Sequence, residues 1–374
     1  MRIALATGLL PVPPTYFALQ HGARLAGEHA VRMVALAADV RDPAVGVEVD
    51  AVVPSIGPWP ARIAAALTTA PLSAAIQARR IAAFRPDVVH QHFATWSRGA
   101  LDGAARASSP LVATLHGYDV FALERSGGSP LQRFHRRSAA DAAARADRLL
   151  AVSEYLAARA VAAGFPADRL DVHYQGVDTD LFTPRPGSAE RGAPRIVFIG
   201  ALAERKGVDD LLAASIAIAP TAEHRLVVIG DGPLDATVRA AAAPHPHIDV
   251  LGSLPRDAVR EQLRGARALV LPTRLHEGRR EAAGLVLLEA QACGVPVIAY
   301  RSGGAPEMLE DGRTGIVVDE DDVRALAGAV SDIIGLTDRD WGEMSARARS
   351  FAVDRRSLTT SVARLAEIYR ELSG

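Results

Sequence analysis

Arg195-Ile196-Val197-Phe198-Ile199-Gly200-Ala201-Leu202-Ala203-Glu204-Arg205-Lys206-Gly207-Val208 is the stretch that decides the fold. A short apolar run rich in β-branched residues, Arg195 to Ile199, stops at a glycine. A polar turn follows, and a helical pattern opens at Val208. That is one strand–loop–helix unit. Downstream the rhythm repeats with strand Leu226 to Ile229 and a helix from Leu234. Further strands lie near Asp249 and at Leu269 to Leu271, Val297 to Tyr300 and Ile316 to Val318. Upstream, Ile3 to Ala6, Val31 to Ala37, Val88 to His90, Leu111 to Leu115 and Leu149 to Val152 have strand length and character. Ala-rich helical stretches such as Tyr16 to Gly27 and Ile63 to Ala83 lie between them, and Ser153 opens another helix. Such alternation implies an α/β chain of parallel, doubly wound sheets with crossover helices.

The 374 residues are enough for two domains. A rigid polar stretch, Thr183-Pro184-Arg185-Pro186-Gly187-Ser188, marks the boundary between them. The sequence therefore predicts a first domain over 1–186 and a second over 187–356. Lys+Arg 42 against Asp+Glu 43 leaves a net charge of −1, so no bulk electrostatic case for nucleic acid exists. One cysteine, Cys293, excludes a disulfide framework and a Cys-based zinc site, and reads as a small buried residue. Met1-Arg2 before Ile3 to Leu10 imitates a signal peptide. The single charge and the Pro11 to Pro14 stretch argue instead for a first strand running into a loop at Gly8, in a cytoplasmic protein. Nothing in the sequence points to a particular oligomeric state.

Of the 42 basic residues, 41 are arginine; Lys206 is the only lysine. A chain that writes arginine elsewhere and lysine here suggests a site wanting a compact ammonium. Arg205 and Lys206 stand beside the start of a helix, where unpaired N–H groups favour anions. Gly230-Asp231-Gly232-Pro233 closes the next strand and is weak evidence alone. The strongest segment is Glu281-Ala282-Ala283-Gly284-Leu285-Val286-Leu287-Leu288-Glu289, continuing to Gly294 as the helix stop. Gly284 turns the loop into the helix, Glu281 lies in the loop, and Glu289 lies over a turn inside an otherwise apolar face. Hydroxyl-rich ligands such as ribose and hexose supply donors that satisfy both carboxylates.

This segment resembles the E-x7-E motif of the retaining GT-B glycosyltransferases of family 4. Before the boundary, His90-Gln91-His92-Phe93-Ala94-Thr95, Thr114-Leu115-His116-Gly117-Tyr118-Asp119, Val152-Ser153-Glu154-Tyr155-Leu156 and Gly176-Val177-Asp178-Thr179-Asp180 match the family in order. After it come Arg205-Lys206-Gly207, the Glu281/Glu289 pair and Gly303-Gly304-Ala305-Pro306-Glu307. Together they resemble the colanic acid and amylovoran exopolysaccharide branch. The resemblance implies a GT-B fold: two Rossmann-like domains facing a central cleft, with a last helix over about 357–374 crossing back to the first domain. It implies transfer of a sugar from a nucleoside-diphosphate donor, a UDP- or GDP-sugar, to a glycan, glycolipid or lipid-linked acceptor, with no cofactor required and no metal. Arg205 and Lys206 would hold the diphosphate, with donor-loop glycines at Gly8, Gly200, Gly230, Gly232 and Gly284. The N–H groups of Leu285 and Val286 would add donors, Glu281 would bind sugar hydroxyls, Glu289 the ribose, and His116 the sugar near its anomeric carbon.

Some positions depart from the pattern. Thr7-Gly8-Leu9-Leu10-Pro11 lacks paired glycines, Ala201 stands where many relatives have arginine, and Ala282 where many have glycine. Asp178-Thr179-Asp180, Asp319-Glu320-Asp321 and Asp338-Arg339-Asp340 match the metal-binding D-x-D of a different glycosyltransferase fold; three loose matches argue for chance. His90/His92 and His245/His247 read as strand-end and loop histidines rather than metal ligands. Glu277 is twelve residues from Glu289, so Glu281 is preferred. Peripheral membrane contact, at the inner membrane face, is suggested by Trp59, Arg62, Arg79, Arg80 and Arg85 around an Ala-rich segment. Arg133, Arg136 and Arg137 form a second basic run that reads first as a solvated helix face, with contact to an acceptor or anionic lipid as the alternative. The rival enzymes are a nucleotide-sugar epimerase or a phosphorylase of the same architecture. The rival of another class is a non-catalytic sugar-nucleotide-binding protein.

Overall fold

A computed structural model describes residues 1–12, 15–41, 46–54, 56–124, 127–185 and 193–374. Pro13 and Pro14 of the N-terminal proline stretch, and Pro186 to Ser188 of the boundary stretch, lie outside the described residues. The chain divides into two units. One comprises Met1–Gln175 with Ser361–Gly374, the other Gly176–Thr360.

The strands of unit 1 are β1 (Arg2–Val12), β2 (Ala30–Val40), β3 (Val49–Ala51), β4 (Val88–His92), β5 (Leu111–Leu115), β6 (Arg148–Ala151) and β7 (Leu170–Val172). They form one sheet in the order β3-β2-β1-β4-β5-β6-β7, and every pairing is parallel. Strands β4 and β5 are buried along their whole length, as a sheet covered by helices on both faces requires. The helix Leu358–Ser373 packs Leu365, Ile368 and Tyr369 into this unit's core, against Ile3, Leu5, Met33, Val88 and Val112.

Unit 2 holds β8 (Arg195–Ile199), β9 (Arg225–Ile229), β10 (Ile248–Gly252), β11 (Ala268–Leu271), β12 (Val297–Tyr300) and β13 (Gly315–Val318). Their order is β10-β9-β8-β11-β12-β13, again all parallel. Each sheet reverses its winding direction once, between β1 and β4 and between β8 and β11. Loops at such reversals part to either side, leaving a crevice beyond the carboxyl ends of the strands where ligands bind.

Two expectations are corrected. The loop at Gly8 is a strand: β1 continues through Gly8 to Val12, paired with β2 as far as Val12↔Val40. Its pairing with β4 ends at Ala6↔Gln91, so Pro11 sits where one side of the strand has no ladder to break. Gly8 is there because the ring of Trp96 fills the space a side chain would take. The helix read over Ile63 to Ala83 is two helices, Trp59–Thr68 and Ala70–Phe84. They break at Thr69, whose hydroxyl bonds back to Ala65 O (2.7 Å) just ahead of Pro71.

Candidate active site

In unit 2 the carboxyl end of β8 runs through Gly200 into a 3₁₀ turn, Glu204–Lys206, and then the helix Val208–Ile218. The loop after β9 is seated on this one backbone to backbone. Leu202 N donates to Asp231 O (2.7 Å) and Leu234 N to Leu202 O (2.9 Å). A side chain on Gly230 would begin 1.9 Å from Gly200 O, and one on Gly232 2.6 Å from Leu202 O. The turn carrying Arg205 and Lys206 is thus clamped from one side by glycines that nothing larger can replace.

From the other side comes the loop between β11 and the helix Leu285–Ala292. Arg274 N donates to Arg205 O (3.0 Å), which ties the loop to the cationic turn. Arg280 pairs with Glu320 (2.9 Å), whose other oxygen accepts from Leu275 N (2.6 Å). Gly304 N donates to Glu281 O (2.9 Å), and that carbonyl occupies the space a side chain on Gly303 would need. Gly284, at φ +84°, turns the chain into the helix. The first turn of a helix has no intrahelical acceptor for its N–H groups, and here those include Leu285 and Val286.

These loops bring Arg205, Lys206 and Glu281 together. One carboxylate oxygen of Glu281 accepts from Lys206 Nζ (2.5 Å) and from Arg205 Nη1 (2.9 Å). Burial raises the Glu281 pKa, but Lys206 and then Arg205 outweigh it and hold the carboxyl at about 2. Glu289, just over one turn into the helix Leu285–Ala292, differs. Its carboxylate makes no hydrogen bond or ion pair among the described residues, and burial pushes its pKa up to about 7 against the pull of Arg256. A half-buried carboxylate without donors is chemically suited to accept hydrogen bonds from hydroxyl groups.

His116 belongs to unit 1, where it follows β5. Its ring packs against both Phe17 (centroids 4.5 Å, 29° between planes) and Phe93 (4.3 Å), which also touch each other (6.0 Å). Its Nε2 is 3.3 Å from His92 Nδ1 and its Nδ1 is 3.3 Å from Gln175 Nε2. Burial, then the neighbouring His21, lowers its pKa to about 3, so the imidazole is neutral at physiological pH. His21, His90, His92 and His173 surround it, all buried and all lowered chiefly by burial. His90 reaches the last helix through Tyr369 Oη (2.5 Å). Asp119, fully buried, accepts from His116 N (2.7 Å) and Thr95 N (3.2 Å), joining the loops after β4 and β5.

The remaining motifs have structural partners. Asp178 Oδ1 accepts from Asp180 N and Leu181 N in a local turn, and no cluster among the described residues could hold a metal ion. His224 and His247 both bond the buried Ser215 hydroxyl. Arg62 and Arg80 pair with Asp39 and Asp50, leaving Arg79 and Arg85 as the exposed cations of that region. Arg133 and Arg136 turn back onto Gly128 O and Gly127 O. Among the described residues, no helix is long and apolar enough to cross a membrane. Sequence reasoning missed Arg274 and Gly303 as residues that set the site; the Gly303-Gly304 pair was visible as a motif, whereas Arg274 looks like any other arginine.

Comparison with known proteins identifies the family. Residues 16–181 match the model of "Glycosyltransferase Family 4", and residues 193–335 that of "Glycosyl transferases group 1". The chain is 34% identical over 278 residues to the GDP-mannose-dependent alpha-(1-6)-phosphatidylinositol monomannoside mannosyltransferase of Mycolicibacterium smegmatis, covering 69% of each chain. It is 28% identical over 275 residues to the putative colanic acid biosynthesis glycosyltransferase WcaL of Escherichia coli, covering 71% of this chain and 66% of that one. Among solved structures, Anabaena Alr3699/HepE in complex with UDP-glucose is similar along 100% of both chains, with a TM-score of 0.80 at 18% identity. With two parallel Rossmann-like sheets, the family's motifs in order and a relative this close, the chain is a GT-B glycosyltransferase belonging to glycosyltransferase family 4.

Proposed function

We propose that the chain moves a hexosyl group from a nucleoside-diphosphate sugar, a GDP- or UDP-sugar, to a hydroxyl of a lipid-linked or glycan acceptor in exopolysaccharide or cell-envelope synthesis. The M. smegmatis mannosyltransferase and the E. coli colanic acid enzyme support that substrate range. The observation that carries the proposal is the contrast inside unit 2: two cations converge on Glu281 while Glu289 is left without donors. Arg205 and Lys206 hold the diphosphate, Glu289 takes the ribose hydroxyls, and Glu281 turns to the sugar. At about 4 Å and an effective dielectric near 20, each cation–phosphate pair has a gross attraction of roughly 4 kcal/mol, which grows as charge develops on the leaving group. The cation pair does the work that a divalent ion does elsewhere, so no metal is required.

In the reaction the bond from the anomeric carbon to the diphosphate oxygen breaks, and the acceptor oxygen bonds that carbon on the same face. The acceptor proton passes to a phosphate oxygen of the departing nucleoside diphosphate, and the anomeric configuration is retained. His116, neutral and packed against two aromatic rings, meets the sugar without donating a proton. The enzyme works in the cytoplasm and meets its acceptor at the inner membrane face through the region of Trp59, Arg79 and Arg85.

A thermal-shift panel of UDP-, GDP- and ADP-sugars tests the donor, because a ligand that binds only the folded chain raises its melting temperature. Turnover with an acceptor panel and the product's anomeric configuration by NMR complete the test. Isomerised donor in the absence of acceptor would make the chain an epimerase, a requirement for inorganic phosphate a phosphorylase, and binding without turnover a sensor. Flotation with anionic liposomes tests the membrane contact; binding indifferent to salt or no binding removes it.

A further inference from the structure

The cationic turn stands among carboxylates that oppose its proposed role. Glu204 precedes Arg205, and Asp209 and Asp210 follow in the first turn of the next helix. With Glu281 that makes four carboxylates around Arg205 and Lys206. Left alone, this ensemble would repel a diphosphate. Arg274 reaches all three of the flanking acids. Its Nη1 donates to Asp210 Oδ1 (2.9 Å), and its Nη2 to Asp209 Oδ2 (2.8 Å) and Glu204 Oε2 (3.2 Å). Nε donates to Glu204 O (3.1 Å), and the Arg274 N–H holds Arg205 O (3.0 Å). The far side of the network is fixed as well: Asp210 is buried and accepts at its second oxygen from Tyr300 Oη (3.0 Å). A guanidinium offers this fan of donors in one plane, and an ammonium does not.

We infer that Arg274 is a positioning residue that fixes the Arg205-Lys206 turn and offsets part of the negative charge of Glu204, Asp209 and Asp210, and so strengthens the site's preference for a diphosphate. The inference rests on the donor-site reading above. Arg274 itself touches no part of the donor. Its effect runs through the two cations and through the local potential, so it acts on the phosphates of a nucleotide and not on the nucleoside.

The test compares affinities for UDP and GDP with those for uridine and guanosine, by competition titration, in the wild-type, Arg274→Gln and Arg274→Lys chains. Arg274→Gln should weaken diphosphate binding at least about tenfold, equivalent to roughly 1.4 kcal/mol, and leave nucleoside binding within about twofold. Arg274→Lys should fall between, since it keeps the charge and loses the fan. Adding Asp209→Asn, at an exposed carboxylate, to Arg274→Gln should recover at least about threefold by removing one unscreened charge. Should Arg274→Gln not fold, the Arg274→Lys chain with and without Asp209→Asn carries the same comparison. Equal losses for diphosphate and nucleoside, or no loss for either, would overturn the inference while leaving the donor site in place. A wild-type chain that bound neither UDP nor GDP would overturn the donor-site reading and the inference with it.

Discussion

The two units share one architecture and treat charge in opposite ways. Each is a parallel, doubly wound sheet with its candidate site residues beyond the carboxyl ends of the strands. In unit 2 those ends carry ionised groups: Arg205 and Lys206 each paired with Glu281, and Arg274 across three carboxylates. In unit 1 they carry neutral imidazoles, His90, His92 and His116 with His21 and His173 behind them, and beside them the Asp119 carboxyl bound by backbone N–H groups. Fold therefore decides where a ligand binds and side chains decide what it is. On the function proposed above, the unit 2 surface takes the anionic diphosphate and the unit 1 surface an uncharged, hydroxyl-bearing group.

Acid should separate the units most. An imidazole whose folded pKa lies below its unfolded 6.5 contributes stability above pH 6.5 and loses it as pH falls toward the folded value. Among the described residues, unit 1 holds six lowered histidines, counting His135, against the single opposing Asp119, whose pKa burial raises to about 6. Glu281, lowered to about 2, keeps its contribution to unit 2 until pH drops below 4.5, and the raised Glu289 favours the fold as pH falls through 7. The half-exposed His247 gives unit 2 a smaller acid-sensitive share. Between pH 7.5 and 5.5, hydrogen exchange corrected for intrinsic rate should rise about a hundredfold or more in the core of unit 1, each neutral imidazole contributing up to about tenfold per pH unit. Unit 2 should change several-fold at most. Equal acceleration in both would break the contrast.

A backbone lesion should sharpen it. Gly230→Ala drives a methyl group into Gly200 O, at a φ of +140° that side chains avoid. It should destabilise unit 2 by about 2 kcal/mol and leave exchange in unit 1 unchanged. Next in size is the pH response of donor binding. Ribose hydroxyls donate to an ionised carboxylate, so Glu289 must lose its proton before it accepts them. With a pKa of about 7, affinity should rise roughly tenfold from pH 6 to 8. Glu289→Gln should bind more weakly and with a flat profile over that range. A slope retained in the variant would assign the proton to another group.

The sequence was most legible where local chemistry and tertiary packing agree. Arg195 to Ile199 and Leu111 to Leu115 were read to the residue because apolar β-branched runs end at polar turns. Strand β1 was cut short at Gly8 because glycine and Pro11 argue against a strand locally; the ring of Trp96 and a one-sided ladder, both distant in sequence, decide the matter. The break at Thr69 was hidden because an Ala-rich run propagates on paper without a cap. In the site, Lys206 stood out by composition and Glu281 with Glu289 by spacing. Arg274 had no such mark, since its role depends on three acids that only folding gathers. The split between Glu281 and Glu289 was equally invisible, because spacing reports neither the partners nor the burial that set a pKa.

The central claim is that Arg205 and Lys206 hold a diphosphate. Calorimetric titration of the donor sugar nucleotide into wild-type and Lys206→Ala chains at pH 8, with Glu289 ionised, tests it most directly. The account predicts affinity at least about tenfold weaker in the variant, roughly 1.4 kcal/mol, with the fold intact by hydrogen exchange. Unchanged affinity in a folded Lys206→Ala chain would contradict it.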